Sequence, residues 1–167
     1  TRVWAVANGM MASAATWIGT AAEKVFVTPS GEAGSIGVIS VYEDWSKAYE
    51  DYGIKVDVMR VPEKKARFTG VEPLTEEMRS LVMQRISESY DVFKTAMAKN
   101  RGVKSSEVEK LFGGGEMLSA DEAVKSGLVD GIATLDEVLA KAVKGTKRSA
   151  PASTRAQLAK AELDLVQ

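Results

Sequence analysis

Short apolar runs alternate with longer, helix-type stretches along most of the chain. The runs that predict strands are Arg2–Ala7, Lys24–Thr28, Val38–Val41, Ile54–Val61 and residues 127–130. The stretches that predict helices are Met11–Ala22, Glu43–Tyr52, residues 75–99, Ser105–Leu111, Ser119–Ser126 and Leu135–Val143. Most of these runs end at Gly, Pro or Asn, residues typical of turns. The alternation of strands and helices predicts an α/β layered fold with a largely parallel sheet.

The pattern changes near the C-terminus and divides the chain into three parts. Residues 1–143 carry the periodic elements and predict one domain. Residues 144–154 are basic, rich in Ser and Ala and without apolar periodicity, which predicts a flexible linker. Residues 155–167 place a few apolar residues among charges and predict a weakly amphipathic helical tail. The chain opens at Thr1 directly on an apolar run, so we expect it to be the C-terminal part of a longer domain.

The composition excludes several kinds of chemistry. The chain contains neither Cys nor His, which removes the Ser-His-Asp triad, thiolate nucleophiles and His-ligated or Cys-ligated metal sites. A base that works near neutral pH must then be a Lys, a carboxylate or a terminus. The formal charge of −1 gives no reason to expect nucleic acid as a partner. No apolar run reaches the roughly 20 residues of a membrane span, and no cofactor or metal site is visible.

Ser13 is the first candidate for chemistry. It lies among small residues, in the run Ala12-Ser13-Ala14-Ala15, just after a predicted turn and where a helix begins. Small neighbours let a substrate backbone approach the hydroxyl, and a helix start offers free N–H groups to an oxyanion. The alternative is ordinary helix packing. Nearby apolar side chains either line a pocket or belong to the core: Met10, Met11, Trp17 and Phe26.

A basic cluster supplies the candidate base for such a serine. Lys64 and Lys65 stand together, with Arg60 and Arg67 close by in sequence. A lysine accepts a proton only when desolvation or nearby positive charge lowers its pKa from the ordinary value of about 10.4. The alternative is that all four are solvated surface charges.

Three ordered motifs give the chain a resemblance to a known family. They are NGMMASAATWIGTAAEKVFVTPSGEAGSIGV from Asn8, EKKARFTGVEPLTEE from Glu63, and AVKSGLVDGI from Ala123. Together they resemble the S49 peptidase family, the signal peptide peptidase A relatives with a ClpP/crotonase-type fold of mainly parallel strands and flanking helices. Within that family the chain is more similar to the bacteriophage head-maturation proteases.

The resemblance implies a serine endopeptidase with a Ser/Lys dyad. The nucleophile falls on Ser13 and the general base on Lys65, fifty-two residues later and ten before Thr75, which selects Lys65 over Lys64. The N–H of Ala14 would donate to the oxyanion. Ser35, in Gly34-Ser35-Ile36-Gly37, matches a serine that orients the lysine, although a turn serine capping local backbone fits equally well.

The chain differs from the family's pattern in two respects. The family's second oxyanion donor lies in an N-terminal half that this chain lacks, so the chain alone can hold the dyad and yet be inactive. The family often has glycine before the lysine, where this chain has Val61-Pro62-Glu63, so the local backbone is expected to differ.

Several functions follow from the resemblance as expectations. The first is a phage protease that cuts scaffold protein during capsid maturation, acts as a homo-oligomer on polypeptide substrates, and works in the host cytoplasm or the procapsid interior. The second is a bacterial signal-peptide-degrading protease, which would need a membrane anchor upstream. A catalytically silent assembly module and a crotonase-like acyl-CoA enzyme are the remaining alternatives, and the last leaves Ser13 and Lys65 unexplained.

Overall fold

The architecture rests on two small sheets, as seen in a computed structural model that describes residues 2–145. The strands are β1 (Trp4–Ala7), β2 (Met10–Ala12), β3 (Lys24–Val27), β4 (Glu32–Gly34), β5 (Met117–Ser119) and β6 (Gly131–Ile132). One sheet has the order β1-β3-β6 and is entirely parallel. The other has the order β2-β4-β5, with β2 parallel to β4 and β5 antiparallel. The α/β class with mainly parallel strands is therefore confirmed.

The first four strands alternate between the two sheets along the chain. β1 lies in the first sheet and β2 in the second, and the next passage repeats this with β3 and β4. The register pairs Ala7 with Val27 in one sheet and Ala12 with Gly34 in the other. Because both pairs are parallel, the carboxyl ends of β2 and β4 lie side by side, and so do the residues that follow them.

The helices pack around these sheets. They are α1 (Ala14–Thr20), α2 (Ser46–Asp51), α3 (Glu76–Arg101), α4 (Val108–Leu111), α5 (Ala120–Lys125) and α6 (Leu135–Gly145). The long helix α3 begins as its sequence predicts, because the Thr75 hydroxyl accepts a hydrogen bond from the Met78 N–H. It ends at Gly102, whose φ of 69° is a left-handed conformation that glycine adopts without strain.

The core lies between α3 and the parallel strands. Val25 and Val27 of β3 are fully buried and lie in one apolar cluster with Phe93 and Met97 of α3 and Leu128. Apolar burial of this kind is the main stabilising term of a fold of this size. Met11 of β2 and Ala33 of β4 belong to the same cluster, which thus joins α3 to the strands that carry the candidate site.

Several predicted elements differ in the structure. Met11–Ala22 is a strand followed by a helix, and the three-residue strands β2, β4 and β5 are too short for periodicity to reveal. The predicted strands Val38–Val41 and Ile54–Val61 belong to neither sheet. The last predicted strand, residues 127–130, is a turn, and β6 follows it.

Residues 37–75 form a long excursion between β4 and α3, which we call the arm. Its one regular helix among the described residues is α2. The arm folds back on itself, since the Trp45 N–H donates to the Gly70 carbonyl at 2.9 Å. At the other end of the chain, α6 runs to Gly145, and the rest of the predicted linker and the predicted tail 155–167 lie outside the described residues.

Candidate active site

Ser13 occupies a sharp turn from a strand into a helix. It follows β2 directly and precedes α1, with φ 54° and ψ −121°. A side chain at positive φ is strained by about 1–3 kcal/mol, and such strain concentrates at functional sites. A strained serine between strand and helix is also the local geometry of nucleophile elbows in serine hydrolases, where the turn lifts the hydroxyl out of the chain.

Hydrogen bonds beneath Ser13 hold this strained turn in place. The Ser13 N–H donates to the Gly34 carbonyl at 2.9 Å, and its carbonyl accepts from the Trp17 N–H at 3.1 Å, which starts α1. The fully buried Thr16 hydroxyl lies 2.6 Å from the Met11 carbonyl and 2.9 Å from the Gly34 carbonyl. The turn is thus tied to β2 and β4 together.

A further chain of contacts fixes α1 to α3. The buried Thr20 hydroxyl accepts from the Asn100 side-chain amide at 3.2 Å and lies 2.8 Å from the Thr16 carbonyl. The rings of Trp17 and Phe93 stack with centroids 4.8 Å apart. Sequence reasoning missed the roles of Thr16, Thr20 and Asn100, because the contacts that matter join distant segments: Thr16 contacts the Gly34 carbonyl and Thr20 contacts Asn100.

The surface around Ser13 is accessible and is formed by small side chains. Ser13 is half-buried, while Ala14 and Ala15 are exposed. Among residues 2–145, no hydrogen bond engages the Ser13 hydroxyl. Ala14 is the first residue of α1, and the first N–H groups of a helix have no partner within it. The arrangement leaves a free hydroxyl beside N–H groups that can donate to an oxyanion.

The structure brings Ser35 next to Ser13. The two serines follow Ala12 and Gly34, which are paired in adjacent parallel strands, so they lie at the same edge of the sheet. Ser35 also has positive φ, at 53°, and its N–H donates to the Glu116 carbonyl at 2.9 Å. Within the described part of the chain its hydroxyl makes no hydrogen bond, so it caps no local backbone there.

Lys65 lies in the arm, and its side chain is exposed. Its N–H closes a turn by donating to the Pro62 carbonyl at 2.9 Å, and the next residue, Ala66, has a φ of 53°. No hydrogen bond joins Lys65 Nζ to Ser13 Oγ in residues 2–145. The structure therefore places Ser13, Ala14 and Ser35 at one edge of the sheet, without a hydrogen bond from Lys65 Nζ to either serine hydroxyl in residues 2–145.

The other members of the basic cluster are paired with carboxylates. Lys64 and Arg67 contact Glu77 at 3.3 and 3.0 Å, and Arg60 pairs with Glu72. Hydrogen bonds from Arg67 and then Lys64 hold the pKa of the Glu77 carboxyl below its ordinary value. Three of the four basic side chains are thus paired with carboxylates. The cluster therefore surrounds Lys65 with less net positive charge than the sequence predicts. Across the described chain, Lys65 is the member without an ion pair.

The apolar residues near Ser13 divide between core and surface. Met11 is buried and Trp17 packs on Phe93, so both belong to the core. Phe26 is partly buried and lies against Trp4, with ring centroids 5.7 Å apart. Met10 is 70% exposed on β2, three residues before Ser13, and is the one of the four that is free to contact a ligand.

The described residues contain neither a cluster of metal-ligating side chains nor a membrane-spanning helix. Over residues 2–145, no group of three or more acidic side chains is arranged to hold a metal ion. Within the same range, none of the helices combines the length and apolar character needed to cross a bilayer.

Two small sheets flanked by helices, one parallel and one mixed, with a strained, accessible serine at a strand end, place the chain among α/β proteins with a hydrolase-type elbow. Comparison with protein families makes this specific. The model of peptidase family S49 matches residues 1–149, so the chain belongs to that family.

Curated relatives are similar over most of this chain. Protease 4 of Haemophilus influenzae is 28% identical over 135 residues, which is 81% of this chain and 22% of that protein. Capsid assembly protease C of Escherichia phage lambda is 27% identical over 77% of this chain and 29% of its own length. A putative signal peptide peptidase SppA of Enterococcus faecium is 27% identical over 77% of this chain and 37% of its own length. The chain thus spans well under half of each of these relatives.

Proposed function

We propose that this chain carries the catalytic dyad of a serine endopeptidase, with Ser13 as nucleophile and Lys65 as general base. The observation that carries the proposal is the backbone of Ser13, held at φ 54° between β2 and α1 with an accessible hydroxyl. Membership of peptidase family S49 and the protease names of its relatives support the same assignment.

The reaction proposed is acyl transfer to the serine. Neutral Lys65 Nζ takes the Ser13 Oγ proton as Oγ bonds to the peptide carbonyl carbon, and the Ala14 N–H donates to the oxyanion. The C–N bond then breaks as the lysine returns the proton to the leaving amine. Water, deprotonated by the same lysine, hydrolyses the acyl-enzyme and regenerates Ser13. Ser35, beside Ser13, is proposed to orient the lysine by a hydrogen bond.

The choice of Lys65 over Lys64 has a physical argument of its own. A lysine whose Nζ is engaged by a carboxylate has to give up that contact before it can reach a serine hydroxyl. Lys64 Nζ lies 3.3 Å from Glu77, whereas the described residues offer Lys65 no such partner. The dyad requires the exposed Lys65 to come within about 3 Å of Ser13 and to lose its contact with water in the working enzyme. Part of that enzyme is expected to lie outside this chain.

Labelling of Ser13 tests the dyad directly. A fluorophosphonate should form one covalent adduct per chain, located at Ser13 by peptide mass spectrometry. Ser13→Ala should abolish the adduct, while Ser30→Ala, a change at an exposed turn serine, should not. Lys65→Met should slow the labelling at least a hundredfold, and the matched Lys64→Met should leave it within about twofold. Equal loss in both lysine variants would contradict the assignment.

For the biological role we propose a phage capsid-maturation protease that cuts scaffold protein, and with it the C-terminal region of its own chain. The similarity to capsid assembly protease C supports this role. A further support is the run of small residues Ser149-Ala150-Pro151-Ala152-Ser153, which suits an accessible cleavage site. Intact mass after long incubation should show a product shortened near residues 149–153, and the Ser13→Ala protein should stay intact.

A signal-peptide-degrading protease is the second candidate, favoured by the similarity to SppA and Protease 4. It predicts cleavage of isolated apolar signal peptides and no shortening of the chain itself. A protein that forms no fluorophosphonate adduct and cleaves neither substrate in its full-length form would instead be a silent assembly module of the same family.

A further inference from the structure

One short segment of the arm has the pattern of a strand without a strand partner. In residues 54–58, Ile-Lys-Val-Asp-Val, apolar and charged residues alternate with period two. Ile54, Val56 and Val58 are 52%, 40% and 36% exposed, while the Lys55 and Asp57 side chains are 86% and 75% exposed. The three apolar side chains therefore share one face and the two charges share the other, as in an extended strand.

The backbone of this segment is unpaired. The Ile54 N–H donates to the Tyr49 carbonyl at 2.8 Å, but within residues 2–145 no backbone hydrogen bond involves residues 55–61. An extended segment with free N–H and C=O groups and apolar side chains is a template for pairing with another strand. Large apolar side chains beyond residue 58 are also open to solvent, with Met59 94% and Val61 90% exposed.

The side-chain order makes the segment complementary to itself. In an antiparallel pair of two copies centred on Val56, Lys55 lies opposite Asp57 of the other copy, and this pair occurs twice. On the other face Ile54 lies opposite Val58, again twice, and Val56 meets its own counterpart. Opposite charges on one face and apolar pairs on the other are the combinations that stabilise antiparallel strands. A two-fold contact requires this kind of self-complementary patch.

We propose that residues 54–58 form an antiparallel two-stranded ladder with the same residues of a second copy of this chain. The partner is identified by the charge order, since a strand of unrelated sequence would not place an acid opposite Lys55 and a base opposite Asp57. The ladder supplies the missing backbone hydrogen bonds of the arm. Tyr52, Met59 and Val61, which flank the ladder, supply exposed apolar surface that the contact can cover. The proposal is independent of peptidase activity.

Cysteine cross-linking tests the register. The chain has no native cysteine, so each introduced one is a clean probe. Val56→Cys should give a disulfide-linked dimer under mild oxidation, because opposite Cα atoms in such a ladder are about 4.5–5.5 Å apart, within disulfide range. Val58→Cys alone should not cross-link, since its two copies would be about 14 Å apart. A mixture of Ile54→Cys and Val58→Cys proteins should cross-link only as the mixed pair.

Charge reversal tests the complementarity. Lys55→Asp and Asp57→Lys should each weaken the dimer on the order of tenfold or more in sedimentation equilibrium, because each change places like charges opposite one another at two positions. The double variant Lys55→Asp with Asp57→Lys should restore the wild-type dissociation constant. Lys47→Asp, the same change on the neighbouring helix α2, is the matched control and should have little effect.

Three results would overturn the proposal. The first is a chain that stays at its 17.9 kDa mass at all concentrations. The second is a dimer in which the Val58→Cys protein cross-links as well as the Val56→Cys protein, or in which the double charge variant is no tighter than the single ones. The third is a monomer whose arm variants lose affinity for an unfolded polypeptide, which would make residues 54–58 a substrate-binding strand instead.

Discussion

At the scale of single residues, the candidate site is built on two serines in conformations that suit glycine better. Ser13 and Ser35 have φ values of 54° and 53°, at the ends of neighbouring parallel strands. Each conformation strains an ordinary side chain by about 1–3 kcal/mol. Both hydroxyls stand free of hydrogen bonds within the described residues. The hydrogen bonds from the Ser13 and Ser35 N–H groups to the Gly34 and Glu116 carbonyls hold both strained residues at one sheet edge, where the proposed lysine would meet them.

Thr16 is predicted to position Ser13 rather than to react. Thr16→Val removes the hydroxyl that lies 2.6 Å from the Met11 carbonyl and 2.9 Å from the Gly34 carbonyl, with little change in volume. We expect the free energy of unfolding in urea to fall by about 1–3 kcal/mol. We also expect fluorophosphonate labelling of Ser13 to slow on the order of tenfold to a hundredfold in protein that is still folded.

The conservative variant separates positioning from general stability. Thr16→Ser keeps the hydroxyl and loses a methyl group, so its labelling rate should stay near that of the wild type even if its stability falls. A Thr16→Val protein that labels at the normal rate would mean that the turn at Ser13 holds without this hydroxyl.

At the scale of elements, the approach of β4 to β5 leaves no room for a side chain at Gly34. A Cβ there would lie 2.5 Å from the Glu116 carbonyl oxygen, and φ is +146°. Gly34→Ala should therefore destabilise the protein by about 2–5 kcal/mol, measured by urea unfolding. Gly102→Ala, at φ +69° in open space, should cost only about 1–2 kcal/mol. The difference between the two variants gives the cost of the Cβ clash apart from the cost of the backbone conformation. Equal losses would mean that β5 can move away.

Asp130 ties three elements together and makes stability depend on pH. Its carboxylate accepts from the Val25 N–H at 2.8 Å and lies near Arg101. Burial acts to raise the pKa of Asp130, but the hydrogen bond from Val25 and the interactions with Arg101 outweigh it, and the pKa lies below its ordinary value. The folded state therefore stabilises the ionised form of the Asp130 carboxyl relative to its protonated form.

The sign of the pH effect follows from that lowered pKa. The contribution of Asp130 is fully present above the unfolded pKa of about 3.9 and is lost as the pH falls through the lower folded pKa. Asp130→Asn should lower the free energy of unfolding by about 1.5–3 kcal/mol at pH 7, and the difference should shrink below about pH 4. Asp136→Asn, a change at an exposed helix start, is the control, expected to change stability by about 0.5 kcal/mol. A difference that is constant with pH would contradict the role assigned to the charge.

The elements that sequence could predict are those whose signals are local. The start of α3 at Thr75 and the start of α5 after Ser119 depend on residues three apart, since the Thr75 hydroxyl accepts from the Met78 N–H and the Glu122 carboxylate accepts from the Ser119 N–H, and both predicted helix starts are confirmed. The strands β2, β4 and β5 depend on pairing between distant segments, so three residues of pattern could not reveal them. The same reason explains Ser13: its place at a helix start was predictable, whereas its positive φ depends on the distant Gly34 carbonyl.

At the scale of the whole molecule, the protein divides into a hydrogen-bonded body and an arm whose backbone is largely unpaired. Val25 and Val27 of β3 are fully buried between strands on both sides. Residues 55–61 of the arm have no backbone hydrogen bond within the described chain. Amides exchange with solvent only when their hydrogen bonds open, so the two regions should differ by orders of magnitude in exchange rate.

Amide hydrogen exchange measured at two protein concentrations would therefore test both the unpaired state of the arm and its proposed pairing with a second copy. In dilute protein, peptides covering residues 55–61 should exchange within seconds while those of β3 stay protected. At concentrations where two copies associate, protection should appear within residues 54–58 and should not extend to Met59–Val61, because the proposed ladder ends at Val58. The Lys55→Asp variant should keep the fast exchange at both concentrations. Protection of residues 55–58 already present in dilute protein would mean that the segment finds its strand partner within its own chain, whereas the Ile54 N–H is bonded to the Tyr49 carbonyl in the single chain.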